Sequence, residues 1–248
     1  MRLNEQTLER HKRHILLKEI GGPGVQKLLA ADVTIIGAGA LGGPCALYLA
    51  AAGVGRLSLF DDDVIERSNL QRQIQFSEPQ IGLSKTEQLA QRLRDLNPDC
   101  EIAIKSERVS EAHDLPGQIL VDATDNFPTR FLLNRMAHRS QRYLVSGAAS
   151  QWSGQVSTFA SGCVPNAPCY QCFVPEIPPG AESCEDLGVV GALTGMVGSM
   201  MALEVIKLIT GAGDMLIGRL QVIDALSGQT RMLALRQNPA CKVCKPQS

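Results

Sequence analysis

The sequence predicts an α/β fold, a doubly wound and mostly parallel sheet with a β-rich C-terminal extension. Two observations carry the prediction. A β-branched run at 32–36 leads straight into Gly37-Ala38-Gly39-Ala40-Leu41-Gly42. An acid, Asp61, closes the next strand-like run, 19 residues past Gly42. From there to about residue 150 strand-like and helix-like stretches alternate, as parallel βαβ units require.

Taken in order, residues 4–20 place Leu8, Ile15, Leu16 and Ile20 among many charges, with Asn4 as a cap, and predict an amphipathic helix ending at Gly21-Gly22-Pro23. The run at 32–36 is the first strand, followed by an alanine-rich helix to about Ala52 and a second strand at 56–60. Helices are expected at 84–96 and 128–140, with strands at 101–105, 118–123 and 142–146. Beyond Gly147 the pattern becomes a strand at 155–160, a stretch rich in Pro and Cys at 163–186, a long helix at 189–210, and strands at 219–224 and 229–235. No linker separates these parts. They form one domain with an N-terminal helical arm (1–30), a nucleotide-type half (31–150) and a C-terminal half (151–248).

The chain has 248 residues, 44% apolar and 20% charged, with 24 Lys plus Arg against 25 Asp plus Glu. That balance is globular and supports one substantial core. A net charge of -1 supplies no global field for a polyanion or an anionic membrane, so nucleic acid and lipid are disfavoured partners. The N-terminus is charged from its second residue and has no apolar core of a secretory signal, so a cytoplasmic protein is expected. The apolar run 189–209 carries Glu204 and Lys207 and reads as a buried helix rather than a membrane span. Eight cysteines in such a compartment are expected to be reduced, so their spacing bears on metal and thiol chemistry.

Glycines at 37, 39 and 42 after a strand and before a helix bring bare backbone and a positive helix end close to a phosphate, and Asp61 stands where ribose hydroxyls are accepted. This makes the first half Rossmann-like. The alternative is a glycine turn that only packs helix on strand. Gly43-Pro44 stands where a P-loop needs Lys and Ser or Thr, so bound ATP would be held without that motif. Downstream lie Asp61-Asp62-Asp63, Asn69-Leu70-Gln71-Arg72 and Gly82-Leu83-Ser84-Lys85. Arg72 and Lys85 on a triphosphate would neutralise charge as pyrophosphate is displaced. Spacing alone favours solvated surface charges for both. Asp125, just past a strand end, is either an Mg²⁺ ligand or the cap of the following helix.

Cys169-Tyr170-Gln171-Cys172 and Cys241-Lys242-Val243-Cys244 supply one closed shell of four thiolates, which predicts a structural Zn²⁺ that clips the C-terminal tail and makes the extension zinc-stapled. Cys45 and Cys100 read as core or strand-edge thiols. Cys184 sits among Glu182, Glu185 and Asp186, where acidic neighbours oppose a nearby helix start, so nucleophile and bystander stand even. The four histidines read as surface or packing residues.

Together with Arg10-His11-Lys12-Arg13-His14-Ile15, Ser68-Asn69-Leu70-Gln71-Arg72-Gln73, Thr124-Asp125-Asn126 and Ser146-Gly147-Ala148, these motifs resemble the ThiF/MoeB family over nearly the whole chain. The family comprises bacterial relatives of ubiquitin-activating enzymes that adenylate the C-terminal Gly-Gly carboxylate of a small β-grasp sulfur carrier. The resemblance implies a nucleotide site of Gly37, Gly39, Ala40, Gly42, Asp61, Asp63, Asn69, Arg72, Lys85 and Asp125. Within it Asp61 would hold the ribose, Arg72 and Lys85 the phosphates and Asp125 the Mg²⁺. It implies a homodimer in which Arg13 reaches the neighbour's phosphates. It also implies Zn²⁺ on Cys169, Cys172, Cys241 and Cys244, a crossover at about 173–187, and Cys184 at the position that bonds the carrier's acyl group in ThiF-type members. Ala40 departs from the family, which often has a further glycine there. The short C-terminus has no room for a fused sulfurtransferase, so a separate sulfurtransferase or cysteine desulfurase is expected.

The expected reaction is carrier adenylation for thiamin or molybdopterin biosynthesis. A site rich in cations and poor in histidine suits it, because a carboxylate needs no general base. The competing readings are adenylation of another carboxylate or a tRNA base on the same scaffold, an NAD-dependent dehydrogenase, and a non-catalytic zinc scaffold that binds a ubiquitin-like protein.

Overall fold

The structure is a computed structural model that describes residues 4–178 and 188–245. Its helices are α1 (Glu5–Arg10), α2 (Lys12–Ile15), α3 (Gly21–Leu29), α4 (Gly42–Ala52), α5 (Lys85–Leu96), α6 (Phe127–Arg139), α7 (Tyr170–Phe173) and α8 (Gly191–Thr210). Its strands are β1 (Asp32–Ile36), β2 (Arg56–Phe60), β3 (Glu101–Lys105), β4 (Ile119–Asp122), β5 (Tyr143–Ser150), β6 (Ser153–Phe159), β7 (Arg219–Asp224) and β8 (Gln229–Ala234). They form a single sheet in the order β3-β2-β1-β4-β5-β6-β7-β8. Pairing is parallel from β3 to β5 and antiparallel from β5 to β8. The expected mostly parallel sheet with a β-rich extension is therefore present, and the β5–β6 hairpin runs from one into the other without a break.

Strand alternation builds two cores, one on each face. Val33, Ile35, Leu57, Leu59, Val121 and Val145 meet α4, α5 and α8. Ile36, Phe60, Leu120 and Leu144 meet α6 and Tyr170. Each such side chain, fully buried, contributes roughly 1.5–3 kcal/mol relative to exposure. Strand order reverses between β1 and β4, and the crevice at the C-terminal ends of these two strands is where open α/β sheets collect ligands.

Two expectations are corrected. The helix at 4–20 is two short helices that break at His11, whose ring is buried against Gly53 at the end of α4. Gly21-Gly22-Pro23 does not end a helix but opens α3. Gly21 turns the chain with φ +55°, and Pro23 lies in the first turn, where a missing N–H costs nothing. α8 is the described helix long and apolar enough to cross a bilayer by composition. One face of it packs on α4, β5 and β6, while Met196 and Leu203 on the other are half exposed.

Candidate functional site

The glycine loop lies at the C-terminal end of β1, against the backbone that follows β4. Gly37 has φ +96° and would place a Cβ 2.7 Å from the Ala123 carbonyl, so no other residue fits. A Cβ on Gly42 would overlap the Gly37 carbonyl. The Asp61 carboxylate accepts the Ala38 amide at 2.6 Å and the Asp63 amide at 2.9 Å, which ties the loop to the end of β2. Burial pushes the Asp61 carboxyl above the ordinary carboxylate value, against the pull of those two amides and of Lys85.

Around the loop is a cleft of about 300 Å³, lined by Gly37, Gly39, Ala40, Asp61, Asp63, Arg72, Lys85 and Asp125. Eight of the sequence-derived site residues therefore converge, although the first and last are 88 positions apart. Lys85 opens α5 behind the cap Ser84; its side chain is only 8% exposed and donates to Asp63 Oδ2 at 2.7 Å. Arg72 donates to the Ser68 carbonyl at 2.9 Å. Asp125 is exposed at the mouth, and the cap of α6 is its neighbour Asn126, which accepts the Thr129 amide at 3.0 Å. The capping alternative for Asp125 is thereby removed.

Other sequence-derived residues lie elsewhere. Gly42 packs beneath the loop, and Asn69 is buried in the turn 67–69, where its side chain accepts the Glu66 amide at 3.2 Å. Arg13 is exposed on α2 and does not line this cleft. Cys184 lies outside the described residues, as does most of the expected crossover.

The cleft is less cationic than its residue types imply. Lys85 is paired with Asp63, and Arg108 faces Asp62 at 3.3 Å. Among the described residues Arg72 is the cleft cation without a carboxylate within 4.0 Å, so it is the one whose charge is uncommitted before a ligand arrives.

Arg130 forms part of the cleft wall, and the sequence reading missed it. It is buried and lies 3.7 Å from Asp122, itself 0% exposed. It also donates to the carbonyls of Thr124 and Gly147, while Ser146 Oγ donates to Asp122 Oδ2 at 2.8 Å. This network fixes the loop that carries Asp125. No local pattern marks it, because its members come from β4, α6 and β5.

The second cluster is the four cysteines. Cys169, Cys172, Cys241 and Cys244 place their sulfurs within 4.8 Å of one another, with separations of 3.9 Å (169–172), 3.6 Å (169–241) and 3.3 Å (172–244). A tetrahedron with Zn–S near 2.3 Å has sulfurs about 3.8 Å apart. Polar N–H groups face the sulfurs: Asn134 Nδ2 lies 3.5 Å from Cys169 Sγ and the Asn238 amide 3.3 Å from Cys172 Sγ. Asn134, which also accepts the Tyr170 amide at 2.8 Å, was not found from sequence. Burial pushes the Cys244 thiol up to about 11 and raises Cys169 as well, whereas the backbone amides of Cys244 and Val243 pull Cys241 below the ordinary thiol value against the effect of burial. Cys45 and Cys100 are buried thiols, as expected.

A family model described as the ThiF family matches residues 11–243. The SAMP-activating enzyme E1 of Haloferax volcanii is 43% identical over 248 residues, covering 98% of this chain and 90% of the relative. The sulfur carrier protein adenylyltransferase of Thermus thermophilus is 39% identical over 252 residues, covering 98% of this chain and 93% of the relative. The adenylyltransferase and sulfurtransferase MOCS3 of Drosophila yakuba is 43% identical over 253 residues, and the match covers 99% of this chain. The chain spans 55% of that relative's length. Among solved structures, E. coli MccB with ATP superposes with a TM-score of 0.82 at 21% identity, over 97% of this chain and 74% of that one. The superposition speaks for the fold.

Proposed function

The chain belongs to the ThiF family, and we propose that this adenylyltransferase transfers AMP from ATP to the C-terminal Gly-Gly carboxylate of a small β-grasp sulfur-carrier or ubiquitin-like protein. The observation that carries the reading is the convergence of the glycine loop, Asp61, Arg72, Lys85 and Asp125 on one cleft.

A carboxylate oxygen of the carrier attacks the α-phosphorus of ATP. The new O–P bond forms as the bond to pyrophosphate breaks, and the products are acyl adenylate and pyrophosphate. No proton moves, because the carboxylate is already ionised at neutral pH. Catalysis is orientation and charge neutralisation. The loop amides and the start of α4 face the phosphates. Asp61 and Asp63 border the ribose side, with Asp63 also orienting Lys85. Arg72 supplies the uncommitted positive charge. Asp125, an exposed hard oxygen donor free of capping duty, fits Mg²⁺, which would add charge neutralisation at the phosphates.

The separations and N–H environment of the four cysteines fit a thiolate-bound structural Zn²⁺. Leu16, Leu17, Tyr48, Met196 and Leu203 are exposed apolar residues on the turn after α2, on α4 and on α8. We assign this surface to a homodimer, in which Arg13 serves the neighbour's cleft. Cys184 acts after adenylation, on the activated acyl group, and sulfur comes from a separate sulfurtransferase or cysteine desulfurase. The pathway served is thiamin or molybdopterin biosynthesis.

The test is carrier-dependent exchange of labelled pyrophosphate into ATP across a panel of Gly-Gly-ending β-grasp proteins. Exchange with one carrier names both the substrate and the pathway. If no carrier supports exchange, the carrier assignment is wrong. A Cys184→Ser variant that exchanges normally and fails to deliver sulfur places Cys184 after adenylation.

A further inference from the structure

Gln75 is 7% exposed and does not line the cleft. Its Nε2 donates to the carbonyls of both Ala38 and Gly39, each at 3.0 Å, while its Oε1 is buried and accepts nothing among the described residues. A buried amide oxygen without a donor is unfavourable, so the side chain is held here by what its Nε2 does for the loop.

The loop shows what the clamp achieves. In a trans peptide the C=O and the following N–H point in opposite directions. The Ala38 carbonyl is turned onto Gln75 and the Gly39 carbonyl onto both Gln75 and the Gly43 amide, 2.9 Å away, so the amides of Gly39 and Ala40 are turned to the other side. Gly39 and Ala40 line the cleft, and among the described residues neither amide donates to a protein acceptor. Glycine-rich backbone is free to flip, and a flipped peptide would present a carbonyl oxygen to an anion where an N–H is needed. Gly43 belongs to the same device, since a Cβ there would overlap the Gln75 amide. The second glycine of Gly42-Gly43 thus makes room for Gln75 rather than for a ligand.

We infer that Gln75 is a positioning residue that locks the glycine-loop peptides with their amides facing the cleft, and so sets phosphate affinity without touching the nucleotide. The inference rests on the ATP reading of the cleft.

The test compares full-length wild type, Gln75→Met and Gly43→Ala for melting temperature without nucleotide, ATP affinity by calorimetry with Mg²⁺, and pyrophosphate-exchange kinetics. Gln75→Met, which takes the donor from the Ala38 carbonyl, is expected to melt a few degrees lower and to bind ATP about tenfold more weakly, as for loss of an aligned amide contact. The loss should appear in KM for ATP while KM for the carrier is unchanged. Gly43→Ala, which displaces the amide, should show the same loss, and the double variant should be no weaker than either single one. ATP affinity within about twofold of wild type in Gln75→Met overturns the inference, as does a rise in KM for the carrier equal to that for ATP. Should Gln75→Met fail to fold, normal ATP affinity in Gly43→Ala overturns it equally. A wild type that does not bind ATP with Mg²⁺ overturns the reading of the cleft and the inference together.

Discussion

The Ala38 amide and the Asp61 carboxylate, 23 residues apart, meet at 2.6 Å, so the glycine loop and the acid at the end of β2 are one structural unit. Asp61 grips the loop by an N–H, Gln75 by two carbonyls, and the Ala123 backbone just past β4 packs closely against Gly37. A loop held on three sides keeps its geometry before a ligand enters, which lowers the ordering cost of binding.

Neighbouring residues at the start of α6 should separate function from stability. Asp125→Ala is expected to lower pyrophosphate exchange by about 10²–10³-fold, the usual effect of losing one transition-state charge contact, with an unchanged melting temperature. Asn126→Ala removes the helix cap and should cost about 1 kcal/mol, a drop of roughly 2–4 °C at this chain length. Normal exchange in Asp125→Ala would reject its role at the metal.

Asp61 makes nucleotide binding sensitive to acid. Because burial raises its pKa above the ordinary 3.8, the carboxyl takes up a proton earlier than an exposed acid, and the protonated oxygen no longer accepts an amide. ATP affinity should therefore fall as pH drops, starting above 3.8. Between 3.8 and the raised native value the folded state binds more protons than the unfolded one, so this group's contribution to stability decreases as pH rises through that window. Asp61→Asn should flatten both dependences, at a cost of roughly 1–3 kcal/mol for setting an NH2 group against an amide donor. Calorimetric titrations and urea melts from pH 4 to 7 provide the check; an unaltered pH profile in the variant would assign the effect elsewhere.

Metal analysis of the purified chain should find one Zn²⁺ per chain. A strong chelator should release it, expose four titratable thiols and lower the melting temperature by about 5–10 °C, corresponding to a few kcal/mol. Cys241→Ser is expected to reproduce the loss. Four thiols that react freely before chelation would refute metal binding.

Met196 and Leu203, seven residues apart on α8, place half-exposed apolar side chains two turns from each other on one side of the helix. Leu203→Asp should convert a dimer to a monomer in sedimentation and reduce exchange to the level of Arg13→Ala, with the fold intact. Wild type that sediments as a monomer would dismiss the shared-site arrangement.

Much of the architecture was readable from local pattern. The expected strands at 32–36, 56–60, 101–105 and 219–224 have the ends the structure gives them, because period and bounding glycines act within a few residues. The glycine loop, Asp61 and the two Cys-x-x-Cys pairs were equally visible, since each carries its chemistry in its spacing. Tertiary structure alone decided the rest. Only the fold distinguishes Asn126 as the cap from Asp125 as a free donor, pairs Lys85 with Asp63, or sets Gln75 against Gly43 across 32 positions. Arg130, Asp122 and Ser146 meet because β4, α6 and β5 converge at one end of the sheet. Gly21-Gly22-Pro23 carries the same residues whether it stops one helix or starts another, and the packing of Val25 and Leu28 into the core chose the second. Partners brought together by chain topology leave no mark on local composition, because the free energy that selects them arises only when distant surfaces are desolvated together.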